Sequence, residues 1–91
     1  MTMDGKMYKA NTHYNIGWSY SELEDYDNAL IHFNKAIEIK PKEGYFYADK
    51  GDTLYELGKE EEACSNYLKS FELGYEEIKD YLNSSDGEWC K

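Results

Sequence analysis

Proline is nearly absent from the chain, which has only Pro41, and cysteine occurs twice, as Cys64 and Cys90. No apolar stretch is long enough to cross a bilayer, and residues 1–10 lack the apolar run of a signal peptide. Two widely spaced thiols without a leader predict no disulfide framework, so the chain is expected in the cytoplasm, with Cys64 as a partly buried filler. Cations are scarce: ten Lys and Arg face 19 Asp and Glu, for a net charge of −9. Phosphate backbones and anionic membranes repel such a surface, so neither nucleic acid nor membrane is the expected partner. A basic peptide or protein would be attracted instead.

Motifs for chemistry are missing as well. The two histidines, His13 and His32, form no His-x-x-x-His pair, and there is no Cys-x-x-Cys. A structural zinc site therefore has no support, and no metal or cofactor is expected. No glycine-rich phosphate loop exists, and nothing near either cysteine supplies the base and oriented partner that a nucleophile needs. His13 reads as a partly buried packing residue. The run Glu60-Glu61-Glu62 reads as the start of a helix, where negative charge suits the dipole. No catalytic residue is nominated, and no enzyme activity is expected.

Aromatic rings, by contrast, are abundant. They make up 16% of the chain, and ten are tyrosine. Disordered chains are poor in such residues, so this one is expected to fold. At 91 residues it forms one domain with a modest core. Apolar residues recur at helical spacing in successive segments. His13, Ile16, Gly17, Tyr20 and Leu23 make the first stripe. Tyr26, Ala29, Leu30, Phe33, Ala36 and Ile37 make the second, with Asp25 as its N-cap. Lys40-Pro41 ends that helix. Tyr47, Gly51, Leu54 and Leu57 follow, then Ala63, Tyr67, Ser70 and Phe71. Gly44, Gly58 and Gly74 read as helix ends. A short fifth helix is predicted over 76–82, with Ile78, Tyr81 and Leu82 on its apolar side. No segment alternates as a strand does.

The pattern repeats. An offset of 34 residues superposes Gly17 on Gly51, Ala29 on Ala63, Phe33 on Tyr67 and Ala36 on Ser70. The first copy reads His13-x-x-Ile16-Gly17-x-x-Tyr20, then Ala29-x-x-x-Phe33-x-x-Ala36, then Pro41. The second reads Tyr47-x-x-Lys50-Gly51-x-x-Leu54, then Ala63-x-x-x-Tyr67-x-x-Ser70, then Tyr75. These motifs resemble the tetratricopeptide repeat family over about three quarters of the chain. The departures are His13 in place of tryptophan, Lys50 in place of an apolar residue and Tyr75 in place of proline.

The resemblance implies an all-α fold: two antiparallel helical hairpins in a right-handed α-solenoid, plus a short C-terminal capping helix. Residues 1–9 would be an N-terminal extension that starts the first helix. Residues 10–43 and 44–77 would be the repeats, 76–83 the capping helix and 84–91 a tail. Repeat packing falls to Gly17, Tyr20, Ala29, Phe33, Ala36 and Pro41 in the first copy. Gly51, Leu54, Ala63, Tyr67 and Ser70 do the same in the second.

The resemblance also implies that the first helix of each hairpin lines a concave groove. Its candidate residues are Asn11, Tyr14, Trp18 and Glu22, with Tyr45, Asp49, Asp52 and Tyr55. Rings give rigid contact area, and acids beside them select lysine or arginine. The competing reading packs Tyr14 and Trp18 on Met3, Met7 and Tyr8. A known subclass of the family grips a chaperone's C-terminal carboxylate with basic groove residues. Tyr14, Trp18, Tyr45 and Asp49 hold those positions here, so that clamp is not expected. The function implied is protein or peptide binding. The alternative is an assembly module, either a homodimer formed through Phe71, Ile78 and Tyr81 or part of a longer array. Two repeats are fewer than such folds usually need.

Overall fold

The computed structural model describes residues 5–83 and Cys90. Five helices follow in order: α1 (Gly5–Glu22), α2 (Tyr26–Ile39), α3 (Gly44–Glu56), α4 (Glu60–Glu72) and α5 (Glu76–Asn83). α1 and α2 form one antiparallel hairpin, and α3 and α4 form the other. α2 packs on α3, and α5 closes against α4. No strand occurs among the described residues. The two hairpins are stacked as an α-solenoid, as the resemblance implied.

Close approach within each hairpin is written into the repeat. A Cβ on Gly17 would lie 2.9 Å from the Phe33 ring and 3.1 Å from the Ala29 carbonyl. A Cβ on Gly51 would lie 2.8 Å from the Tyr67 ring and 3.2 Å from the Ala63 carbonyl. The same three roles therefore recur 34 residues apart. Ala29, Ala36, Ala63 and Ser70 are all fully buried, since only small side chains fit where helices nearly touch.

The turns repeat too. The backbone N–H groups of Asp25, Lys59 and Tyr75 donate to the carbonyls of Tyr20, Leu54 and Ser70, closing the same C-terminal turn three times. The left-handed residue in it is Gly58 (φ 80°) or Gly74 (φ 87°), and in the first turn Glu24 (φ 60°). Asp25 caps α2 by accepting from the Asn28 backbone. Gly44 does not end a helix. It opens α3, and its missing Cβ makes room for Tyr75, 2.9 Å away.

Two apolar clusters result. One joins Ala10, Ala36 and Phe46, and the other joins Leu54, Ala63, Tyr67, Ile78, Leu82 and Cys90. Phe46 is completely buried, though no sequence stripe singled it out. Three stripe members stay out of the core: Ile16 at 37% exposed, Leu23 at 76% and Phe71 at 44%. Leu23 lies one residue past the end of α1, where the helical stripe no longer applies.

The cysteines correct a sequence expectation. Cys64 on α4 is bonded to Cys90 in a disulfide spanning a sequence separation of 26, and Cys90 is buried in the second cluster. α4 and α5 bring together what the sequence holds apart. The remaining tail residues, including Trp89, lie outside the described residues, as does Met3 on the N-terminal side. No helix among the described residues is long and apolar enough to cross a membrane.

Candidate functional site

The eight residues expected to line the groove all lie on α1 and α3, four on each helix. α1 presents Asn11, Tyr14, Trp18 and Glu22, and α3 presents Tyr45, Asp49, Asp52 and Tyr55. They do not share one role. The Tyr45 hydroxyl donates to Asn11 Oδ1 at 2.7 Å, and Tyr14 donates to Asp49 Oδ2. Tyr14 meets Tyr45 edge to face, with centroids 5.0 Å apart, and lies nearly parallel to Phe46 at 5.3 Å. These two tyrosines thus join the repeats and are half-buried. Trp18 is 51% exposed and Tyr55 46%. Glu22 is exposed at the end of α1.

Asp49 and Asp52 are one turn apart on α3, and neither forms an ion pair among the described residues. Asp49 is desolvated, which pushes its carboxyl up to about 6, although the hydroxyl of Tyr14 partly opposes the shift. Burial raises Asp52 as well, against the hydrogen bond that Tyr67 donates to it at 2.5 Å. Both tyrosines are pushed up by burial and by the acid they face. Neither carboxylate meets a counter-charge among the described residues.

A cavity of about 190 Å³ opens beside them, between α3 and α5. Asp49, Asp52 and Glu77 give it three acids, and Tyr75, Tyr81 and Ile78 give it apolar wall. The Tyr75 hydroxyl donates to Glu77 at 2.9 Å. Burial and Glu77 push Tyr75 up to about 12. Sequence reasoning had placed Tyr75, Glu77 and Tyr81 in turn or cap and missed them here. One signal was available, because the 34-residue offset carries Tyr47 onto Tyr81. α5 is thereby in register with the first helix of a repeat.

The histidines are the other surprise. His13 on α1 and His32 on α2 face each other, with Nδ1 atoms 3.2 Å apart. Tyr20 lies over His32, with ring centroids 5.6 Å apart. Sequence spacing had put the histidines on different helices without joining them. Among the described residues no group of three His, Cys, Asp or Glu side chains converges on a metal position.

A stacked pair of helical hairpins with small residues at the contacts and a ring-and-acid face is the mark of a protein-binding helical repeat. The tetratricopeptide repeat profile matches residues 10–43, and a second profile of that repeat matches residues 45–73. The chain belongs to the tetratricopeptide repeat family, a non-enzymatic interaction fold. It is 30% identical over 84 residues to the protein STIP1 homolog of Dictyostelium discoideum, covering 92% of this chain and 15% of that protein. It is 30% identical over 74 residues to human DnaJ homolog subfamily C member 7, covering 81% of this chain and 15% of that one. Stress-induced-phosphoprotein 1 of Caenorhabditis elegans is 32% identical over 66 residues, covering 72% of this chain and 21% of that protein. The chain thus spans about a fifth or less of the length of these relatives.

Proposed function

We propose that this chain is a cytoplasmic adaptor that binds a basic peptide segment of a partner protein along the face of α1, α3 and α5. The observation that carries the reading is the pair Asp49 and Asp52, the first desolvated and both beside a cavity, with no ion-pair partner among the described residues. A lysine or arginine from a partner would supply the missing charge, and the tyrosine rings would hold its alkyl stem. Trp18 and Tyr55 offer exposed ring surface on the same two helices. The net charge of −9 draws in a basic segment from a distance and disfavours nucleic acid and anionic membrane. Catalysis has no place in this reading. In the cytoplasm the thiol poise decides whether Cys64 and Cys90 are joined.

A labelled lysine-rich peptide titrated against the protein tests the idea by fluorescence anisotropy. Binding is expected to weaken about tenfold in the double variant Asp49→Asn, Asp52→Asn and to fall steeply with salt. Equal binding by both proteins would overturn the reading. The assembly alternative rested on Phe71, Ile78 and Tyr81. Ile78 is buried within the chain, and Phe71 remains exposed. Light scattering across a concentration series separates the two readings by mass.

A further inference from the structure

We infer that His13 and His32 form a two-imidazole site for a divalent transition-metal ion, clamping α1 to α2. Their Nδ1 atoms are 3.2 Å apart. The ring planes are 23° from parallel, and the centroids are 5.5 Å apart. A contact so much shorter than the centroid spacing means that the rings meet through their nitrogen edges. Each Nδ1 therefore points at the other across the gap between the helices.

That spacing is also the one a shared ion imposes. Two metal–nitrogen bonds of about 2.0–2.1 Å hold their nitrogens about 3.3 Å apart at the tetrahedral angle of zinc(II) and about 2.9 Å apart at the right angle of tetragonal copper(II), on either side of the observed spacing. Without an ion, one Nδ1 carries a proton and donates it to the other. With an ion, that proton moves through solvent to Nε2 of the same ring, and both Nδ1 lone pairs face the metal. The net proton count of a neutral pair does not change. With the nitrogens 3.2 Å apart, each ring must tilt by about 40° to aim its lone pair at an ion off the line between them.

The surroundings support this. Both histidines are half-buried, so water can complete the coordination shell. A cavity of about 300 Å³ open to solvent adjoins His13 and is lined also by Lys35, Glu38 and Ile39. Two imidazoles suit copper(II), nickel(II) and zinc(II), and copper(II) binds tightest.

The test titrates copper(II) chloride into the full chain at pH 7.5 in a non-coordinating buffer, followed by calorimetry and by melting temperature. One ion per chain is expected to bind, with a rise in melting temperature that a chelator reverses. His13→Asn and His32→Asn should each weaken that binding at least tenfold, with helical circular dichroism unchanged. A chain with 19 acids also takes up ions loosely on its surface. Uptake of the ion by the double variant with the wild-type affinity and stoichiometry would therefore overturn the proposal. So would an unmoved melting temperature in the wild type.

Discussion

Ser70 sits where the first repeat has Ala36, and both are wholly inaccessible to solvent. The Ser70 hydroxyl has no hydrogen-bond partner among the described residues. A buried hydroxyl without a partner costs about 1–3 kcal/mol in lost hydration. Ser70→Ala removes that atom and leaves the small volume the helix contact needs. It should stabilise the fold by about 1 kcal/mol, read as a higher urea midpoint at unchanged slope. The first repeat has already made this substitution. In the turns the comparison runs the other way. Glu24 holds a left-handed backbone where the second repeat uses Gly58. Each copy thus exposes a compromise in the other: the 34-residue offset pairs the residues, and the structure shows the unpartnered hydroxyl and the left-handed backbone.

At the scale of elements, the clasp between α4 and Cys90 acts on the unfolded chain. Closing a loop with a sequence separation of 26 restricts the unfolded chain by about 3 kcal/mol. Reduction, or the double variant Cys64→Ser, Cys90→Ser, should therefore lower the melting temperature markedly. Added reductant should do nothing further to that variant. The helices themselves were legible in sequence because their punctuation is local: Asp25 as a cap, Pro41 after α2, and Gly58 and Gly74 in the turns. The disulfide was not legible, since the α4–α5 bend that unites its ends is a tertiary fact. Phe71 misled because it is one residue from Ser70, about 100° round the helix from the packing line. The α5 contribution to the candidate site was hidden because only one short helix of that register is present to be matched.

The whole molecule is tuned by the contact between repeats. Tyr14 on α1 reaches Asp49 on α3, and Asp49 titrates near 6, against 3.8 unperturbed. The folded protein thus holds this proton more tightly than the unfolded chain does. Its contribution to stability is complete below about pH 4 and is lost as pH rises through 6, up to about 3 kcal/mol in all. Other acids titrate in the same range, so the readout is the difference between wild type and Asp49→Asn. From pH 4 to pH 7 the wild type should lose stability relative to the variant in urea titrations. The face that bears Asp49 is therefore least comfortable at neutral pH, the condition under which a cationic partner would relieve it.

The bond from α4 to Cys90 also governs how the molecule carries load. Tension applied from the last residue passes through Cys90 straight into the middle of α4, bypassing α5. The segment enclosed by the bond cannot pay out, so about 90 Å of extended chain is withheld from any stretching event. Under an optical trap the oxidised protein would lengthen by that much less than the reduced one. α5 would remain folded on its neighbour until the first hairpin had already come apart.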